Sequence, residues 1–416
     1  MIYLTLLLML VLALTGAPVF TLIGMLAVLL FVSADIAPSA VIVEMLRLAS
    51  LPSLIAIPLF TFSGYVLAES KAPQRLLGLA ESLCGFLPGG LAVVALFATA
   101  LFTAFTGASG VTIIALGGLL YPMLVKQGYP ERFTLGLLTT TGSLGLLFPP
   151  SLPIILYALI AQIDLDGLFR AALFPGLLLL AGLSVYAFFA ARKAGVRNTP
   201  FSFAGLKKAL RETAWEIPLP FIIIGGIYKG VFTASEAASV MAFYVLAVEV
   251  FVKKDLDIFR DIPRITVKSM LLVGAIFMVM GTALGFTNYL IDAEIPSRIF
   301  AWLHTYVQSR VAFLVLLNCF LLVINMIEIF SAILIVVPII VPVAAQYGIA
   351  PIHLGIIFLV NLEIGYMLPP FGLNLFLAGS SLKKPLPELY RAILPFLLIL
   401  VVILALITYF PRLVML

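Results

Sequence analysis

Two apolar stretches of this sequence are broken in the same way, and they constrain the fold more than any other feature. The first reads TTTGSLGLLFPPSLPII at 139–155, and the second reads NLEIGYMLPPFGLNLFL at 361–377. In each, a glycine is followed by three residues, a Pro-Pro pair and a resumed apolar run. Four landmarks keep the same offset of 220 residues: Gly128 and Gly348, Gly145 and Gly365, Pro149-Pro150 and Pro369-Pro370, and Pro175 and Pro395. This shared register predicts two homologous halves, each with an interrupted helix.

The interruption matters because of the solvent around it. The apolar core of a bilayer offers no hydrogen-bond partner, so a helix that spans it must satisfy its own backbone. A Pro-Pro pair removes two donors and disfavours helical geometry at the residue before each proline. Interrupted helices at matching positions of two halves indicate the ion and substrate site of a transporter. The alternative is a pair of proline-kinked helices that bind nothing.

The composition indicates that lipid surrounds these helices. Of the 416 residues, 63% are hydrophobic and 10% are charged, and the mean hydropathy is +1.23. Soluble domains do not have this composition, so the sequence predicts an all-α polytopic membrane protein in a lipid bilayer. At ~20 apolar residues per span, the apolar segments are enough for roughly ten to twelve spans. The net charge of +5 comes from basic loops and does not indicate a nucleic-acid partner.

Polar segments divide the chain into its predicted parts. The longest lies at 192–215, where basic residues dominate and the spacing is typical of an amphipathic interfacial helix on the cytoplasmic side. We predict a first repeat at 1–191, a linker at 192–215 and a second repeat at 216–416. The first repeat contains a re-entrant hairpin at about 103–127 and a broken helix at about 134–162. The second contains a hairpin at about 323–347 and a broken helix at about 354–382. Inverted repeats are favoured, because paired broken helices in inverted repeats form a site at the midplane.

Three smaller motifs support this division. Small and polar residues at 106–110 predict the tip of the first hairpin, with a helix-packing face as the alternative. The segment FTASEAA places Glu236 at the capping-box position of a new helix. The segments PQRLLGLAESL and PSRIFAWLHTY occupy similar places in the two halves and share Arg75 and Arg298.

The interrupted helices also offer the oxygen atoms that a sodium ion needs. Na⁺ is a hard cation, and unwound carbonyls and hydroxyls bind it without a buried charge. The candidate sodium ligands are Thr106, Ser109, Gly145, Phe148 and Pro150 in the first half and Gly365, Leu368 and Phe371 in the second. Helix N-termini and hydroxyls suit an organic anion, and the candidates for substrate binding are Ser143, Ser151 and Asn374.

Three further polar residues lie close to these positions. Ionisable residues inside a membrane are candidates for function because they are costly in lipid. Glu328 lies at the predicted tip of the second hairpin, and Glu363 and Asn361 lie just before the second break. Each carboxylate suits three roles, which are to neutralise a bound Na⁺, to accept a proton, or to cap backbone donors at a helix end.

Enzyme motifs are missing from the sequence. It contains no GxxxxGK[ST] phosphate loop, no HExxH and no convincing GxSxG, and its two histidines are too few for a metal site. A hydrolase built on Ser109 would lack an obvious base. We therefore expect no enzymatic activity and no cofactor, with Na⁺ as the coupling ion.

Three motifs, in order, resemble a known family over essentially the whole chain. GASGVT, ALGGLLYPMLVKQGY and TTTGSLGLLFPPSLPIILY are similar to the first signature of the large membrane subunit of tripartite ATP-independent periplasmic (TRAP) transporters. FIIIGGIYKGVFTASEAASV resembles the middle motif of that family, and 326–376 resembles its second signature. Two positions depart from the family pattern: Gly107-Ala108 stands where serines are usual, and Leu368 stands where threonine precedes the second Pro-Pro.

The resemblance implies Na⁺-driven uptake of an organic acid, such as a C4-dicarboxylate or a sialic acid, across the bacterial inner membrane. It implies two partners, a periplasmic substrate-binding protein and a small four-helix membrane subunit. It also implies a scaffold and an elevator-type transport domain, with sodium sites at the hairpin tips and Pro-Pro breaks. Two alternatives remain: a stand-alone carboxylate carrier or ion antiporter that needs no binding protein, and a membrane scaffold that moves nothing.

Overall fold

The computed structural model describes residues 2–50, 52–87, 89–107, 109–196, 201–324 and 329–414. Within these ranges the chain forms helices joined by turns, and it forms no β-strand. The predicted all-α fold class is therefore confirmed.

The described residues contain the following α-helices. In chain order they are α1 (Ile2–Leu14), α2 (Val19–Ser33), α3 (Ser39–Ala49), α4 (Ala56–Glu69), α5 (Ala72–Cys84), α6 (Gly90–Thr106), α7 (Ser109–Lys126), α8 (Glu131–Leu144), α9 (Leu152–Ala161), α10 (Leu165–Ala194), α11 (Phe203–Glu212), α12 (Pro218–Tyr228), α13 (Ala234–Ala247), α14 (Asp261–Asp292), α15 (Ile295–Tyr306), α16 (Arg310–Ile324), α17 (Ile329–Gln346), α18 (Pro351–Gly365), α19 (Leu373–Leu382) and α20 (Leu386–Tyr409). Short 3-10 or π turns lie at Pro52–Ile55, Gly145–Leu147, Val248–Val252 and Pro411–Leu413.

Six helices in the described part of the chain are long and apolar enough to cross a bilayer, and two bent pairs raise the number to eight. The six are α7, α10, α13 with its π turn, α14, α17 and α20. One bent pair is α8 with α9, at 44°, and the other is α15 with α16, at 116°. The sequence predicts roughly ten to twelve spans, and several further apolar segments of the described residues form helices of 10–17 residues, shorter than a full span.

Two series of seven helices follow the same order, α4–α10 and α14–α20. In both series the second helix has a proline in its first turn, the fourth has 18 residues and the sixth has 10. Contacts between the series are reciprocal, since α7 packs on α19 and α17 packs on α9. The shared order supports a repeat, whereas the bounds of the two halves and the inversion of one half relative to the other stay predictions.

The broken helices lie at the centre of the molecule. Every residue of α8 from Phe133 to Leu144 is buried, and so is every residue of α18 from His353 to Gly365. Backbone that leaves helical geometry is tolerated at membrane depth only where protein or a water-filled cavity surrounds it. The burial of α8 and α18 meets that requirement, because other helices separate them from lipid.

The basic linker contains the amphipathic helix that the sequence predicts. In α11, Ala209 is the buried residue, while Lys207, Lys208 and Phe203 are exposed. Exposed apolar and basic side chains on one short helix favour a position at the membrane surface. Its N-terminus is capped by Ser202, whose side chain accepts a hydrogen bond from the Gly205 amide at 3.2 Å.

The predicted capping box at the start of α13 is confirmed. The Glu236 carboxylate accepts from the Thr233 amide at 2.8 Å, and Thr233 Oγ1 accepts from the Glu236 amide at 3.3 Å. Each bond satisfies a backbone donor that the first helical turn leaves free.

Removing the cap hydroxyl should weaken the protein measurably. We expect Thr233→Ala to lower the free energy of unfolding by about 1 kcal/mol, the usual cost of a lost N-cap. Thermal unfolding of the purified protein in detergent checks this. Thr233→Ser keeps the hydroxyl and is the control; an equal loss in both variants would contradict the capping role.

Candidate functional site

The first break begins where α8 ends. The chain continues through the 3-10 turn Gly145–Leu147, becomes extended at Phe148 and enters α9 after Ser151. The Gly145 carbonyl accepts from the Phe148 amide at 3.0 Å, and the Phe148 carbonyl accepts from the Ser151 amide at 3.1 Å. A carbonyl oxygen has two lone pairs, so each of these oxygens keeps one acceptor position for a further partner.

Gly145 lies directly against the backbone of α6. A Cβ atom on Gly145 would lie 2.1 Å from the Ala100 carbonyl oxygen and 2.6 Å from the Ala104 amide nitrogen. Real Cβ atoms do not approach other atoms so closely, so glycine is required at this crossing. The first break and α6 are therefore packed backbone to backbone.

Threonine side chains reinforce the same crossing. Thr103 Oγ1 lies 2.6 Å from Thr112 Oγ1 and 3.0 Å from the Gly142 carbonyl oxygen. A hydroxyl donates one hydrogen, so Thr103 donates to Gly142 while it accepts from Thr112. This chain joins α6, α7 and α8 in a buried setting.

The structure brings the first-half sodium candidates into one buried region. Thr106 and Ser109 flank the turn between α6 and α7, and both are buried. In that turn Gly107 has a φ of +65°, and a Cβ atom on it would lie 2.6 Å from Cγ of Leu152, the first residue of α9. Pro150 is buried, and Phe148 is half-buried.

The second break has similar bonding but a different exposure. The Gly365 carbonyl accepts from the Leu368 amide at 3.1 Å, and the Leu368 carbonyl accepts from the Gly372 amide at 2.9 Å. Pro370 is exposed and Phe371 is 67% exposed, whereas the first Pro-Pro pair is buried. The three sodium candidates of this half thus lie in one short segment, and Glu328, at the predicted hairpin tip, lies outside the described residues.

Side chains from both halves meet between the breaks. Asn374 Nδ2 donates to Ser143 Oγ at 3.2 Å and to the Thr139 carbonyl at 3.3 Å. Ser143 Oγ in turn lies 3.5 Å from the Glu363 carbonyl oxygen. Ser143 and Asn374, two of the substrate candidates, are therefore joined, whereas the hydroxyl of the third, Ser151, donates within the first break to the Leu146 carbonyl.

Several buried oxygens around this junction have no hydrogen-bond partner among the described residues. They are both carboxylate oxygens of Glu363, Asn374 Oδ1 and Thr140 Oγ1. The backbone amide of Leu147, in the first break, lies beside the Glu363 carboxylate. Unsatisfied buried acceptors are costly, so the junction favours a cation or a donor group, and the predicted roles of Glu363 all remain compatible with its position.

The amide of Asn361 bonds to another helix. Its Nδ2 donates to Asn318 Oδ1 at 2.6 Å and to the Ile357 carbonyl at 2.8 Å, and Asn318 Nδ2 donates to Thr408 Oγ1 at 3.2 Å. This amide chain ties α18 to α16 and α20. The sequence signal for it was Asn318, a lone amide in an apolar run, which our prediction did not use.

A buried ion cluster outside the breaks was also missed. Arg75 on α5 bonds Glu216 through Nε at 2.5 Å, Glu249 through Nη2 at 2.9 Å, and Asp255 through Nη1. Burial opposes the charge of Arg75, but the hydrogen bond to Asp255 and the charge of Glu249 outweigh it and raise the pKa of Arg75. Burial likewise disfavours the Asp255 carboxylate, but Arg75 and the Lys71 amide hold its pKa below the ordinary value.

The chain matches a family of transporters over nearly its whole length. Residues 5–413 match the family described as "Tripartite ATP-independent periplasmic transporter, DctM component". Two proteins named C4-dicarboxylate TRAP transporter large permease protein DctM are similar to it. The one from Rhodobacter capsulatus is 34% identical, with 97% of this chain and 96% of the relative covered. The one from Pseudomonas aeruginosa is 37% identical, with 93% and 91% covered.

Two further similarities bear on substrate names and on the fold. A sialic acid TRAP transporter large permease protein, SiaM, from Vibrio cholerae is 32% identical, with 86% of this chain and 84% of the relative covered. The crystal structure of the Alcanivorax borkumensis YdaH transporter superposes with a TM-score of 0.64, covering 90% of this chain and 88% of that chain. Sequence identity to YdaH is 15%, so that likeness concerns the fold alone.

Proposed function

The chain belongs to the DctM-component family of tripartite ATP-independent periplasmic transporters, and we propose that it carries an organic acid across the bacterial inner membrane together with Na⁺. It is a multi-pass membrane protein and a transporter subunit, not an enzyme. The proposal rests on the junction of the two breaks. There, Asn374 of one half is bonded to Ser143 of the other, beside buried oxygens that have no hydrogen-bond partner among the described residues.

The substrate that we propose is a carboxylate. The relatives described above are named for C4-dicarboxylate and for sialic acid, both of which are organic acids. Helices α9 and α19 begin directly after the two breaks, and neither has a side-chain cap at its N-terminus. The positive end of a helix dipole attracts an anion, so these two N-termini support carboxylate binding near Ser151 and Asn374.

Charge balance supports sodium coupling. A carboxylate substrate and an ionised Glu363 would place two negative charges in one buried region, and uncompensated buried charge is costly. A Na⁺ ion bound by carbonyl oxygens of the breaks would neutralise part of that charge. We propose the first-half ligands among Thr106, Ser109, Gly145, Phe148 and Pro150, and the second-half ligands among Gly365, Leu368 and Phe371.

We further propose an elevator movement and two partners. The helices around the breaks, α6–α9 and α16–α19, would move together against the other helices, and the two repeats would be inverted. The difference in exposure between the two breaks supports a conformation that is open on the side of Phe371. A periplasmic binding protein would deliver the acid, and a small four-helix membrane subunit would hold the scaffold, as the word tripartite in the family description suggests.

Uptake into proteoliposomes tests the proposal. Vesicles would contain this chain and its small partner, with a radiolabelled C4-dicarboxylate or sialic acid outside. We expect uptake only when the binding protein and an inward Na⁺ gradient are both present. Uptake that needs the gradient but not the binding protein would favour the stand-alone carrier, and the absence of uptake under every condition would contradict the transporter proposal.

The amide that joins the halves should matter for transport more than for folding. We expect Asn374→Ala to lower the uptake rate about tenfold, which corresponds to ~1.4 kcal/mol and to the loss of one or two neutral hydrogen bonds. Asn288→Ala removes an amide from α14, outside the junction, and is the control. If both variants keep wild-type uptake, Asn374 has no role in the substrate path.

A further inference from the structure

A cavity of about 660 Å³ lies between the start of α8, the end of α10 and the start of α20. Arg132 and Lys193 provide its positive charge, and Phe133, Tyr186 and Phe189 provide aromatic walls. The proposed transport path does not use this cavity, because the first break lies at the other end of α8 and packs against α10 at Gly176, away from the end of that helix.

Basic residues are concentrated at the membrane face where this cavity lies. Lys126 ends α7, Arg192 and Lys193 lie in the last turn of α10, and Arg391 lies near the start of α20. An excess of Lys and Arg marks the cytoplasmic side of a membrane protein. The cavity therefore faces the cytoplasmic leaflet, whose anionic lipids attract basic pockets between helices.

The polar groups at the cavity are arranged for an anion. Arg132 donates through Nε at 3.2 Å and Nη2 at 2.8 Å to the Arg391 carbonyl, which fixes its guanidinium and leaves Nη1 available. The Tyr186 hydroxyl has no hydrogen-bond partner within the described residues. The nearby acid, Glu131, is engaged by Lys384 and by the Tyr121 hydroxyl, so it does not neutralise Arg132.

The start of α8 adds a further attraction. Pro130 precedes the helix and lines the cavity, and no side chain caps this N-terminus. The first amides of a helix have no partner within it, and the positive end of the dipole favours a negative group. Beside these groups Phe189 is 60% exposed, which suits an acyl chain better than water.

We propose that this cavity binds the phosphate headgroup of an anionic phospholipid of the cytoplasmic leaflet. Arg132 Nη1, Lys193 Nζ and the Tyr186 hydroxyl hold the phosphate, and an acyl chain lies along Phe189. The lipid bridges the break-bearing helix α8 to α10 and α20, so its binding stabilises the contact between them.

Lipid binding to the purified chain in detergent tests the proposal. Phosphatidylglycerol, phosphatidylcholine and inorganic phosphate are added separately, and both the unfolding temperature and the number of retained lipids by native mass spectrometry are measured. We expect phosphatidylglycerol alone to raise the unfolding temperature. We expect its apparent affinity to fall at least tenfold in Arg132→Gln combined with Lys193→Gln, whereas Lys126→Gln combined with Arg192→Gln keeps it.

Three results would overturn the proposal. The first is that phosphatidylcholine stabilises the protein as much as phosphatidylglycerol does. The second is equal stabilisation by inorganic phosphate, which would identify a site for free phosphate. The third is an unchanged phosphatidylglycerol affinity in Arg132→Gln combined with Lys193→Gln. Lys193→Gln alone guards against a folding defect, because Lys193 is exposed and makes no ion pair among the described residues. Unchanged affinity in that variant would contradict a phosphate contact by Lys193. Since none of these readouts involves transport, failure here leaves the proposed function untouched.

Discussion

Replacing Gly145 by alanine is expected to abolish transport and to destabilise the fold. The new methyl group would lie 2.1 Å from the Ala100 carbonyl oxygen and 2.6 Å from the Ala104 amide nitrogen, and both are backbone atoms that no side-chain rotation can move. The break must then separate from α6. Overpacking of a tight core costs about 1–3 kcal/mol and sometimes more, and the displaced carbonyls of the break would lose their alignment.

Two measurements check this expectation. Uptake in proteoliposomes should fall to background for Gly145→Ala, and the unfolding temperature in detergent should fall by several degrees. Gly118→Ala is the matched control, since Gly118 lies in the neighbouring helix α7 and a Cβ there meets nothing within 4 Å. Wild-type uptake by Gly145→Ala would show that the close crossing of α6 and the first break is not needed for function.

The sequence predicted the breaks because their signals are local and covalent. A Pro-Pro pair cannot continue a helix, whatever surrounds it, so 139–155 and 361–377 were recognisable without any tertiary information. The sequence predicted only one side of the close crossing at Gly145. The glycine was visible as a landmark, but its partner atoms, on Ala100 and Ala104, are determined by how α6 packs.

Long-range polar contacts were not predictable from the sequence. Arg75 is 141 residues from Glu216 and 180 residues from Asp255, and no periodicity relates such positions. Asn361 illustrates the same limit, since its adjacency to the second break suggested a role there, whereas its amide bonds to Asn318 on another helix. The direction of each carbonyl at the breaks also depends on packing, so the sodium ligands stay a proposal.

Loss of the Arg75 side chain should give the largest fall in stability. Arg75 is 12% exposed and pairs with three carboxylates whose side chains are 4%, 1% and 8% exposed. Removing one partner of a buried ion pair leaves the others uncompensated and costs about 3–5 kcal/mol. We therefore expect Arg75→Ala to lower the free energy of unfolding by that amount. Since α5 packs on α6 and α11, the loss should also loosen the support of α6.

The matched control is Arg298, which occupies the corresponding place in the second half. Arg298 on α15 is exposed and makes no ion pair within the described part of the chain, so Arg298→Ala should leave the unfolding temperature almost unchanged. Comparable losses in the two variants would show that arginine at this place acts through its own helix and not through the three acids.

The pH dependence of stability distinguishes an electrostatic role of Arg75 from a packing role. In Arg75→Ala, proton uptake by the carboxylates relieves the repulsion among them, so the stability defect should shrink as the pH falls. In the wild type the pKa of Asp255 is lowered by Arg75 and the Lys71 amide, so the stability from this pair is present above the ordinary Asp pKa and is lost as the pH falls through the lowered one. The two stability curves should therefore converge in acid. A constant gap between them would mean that Arg75 stabilises the protein by packing alone.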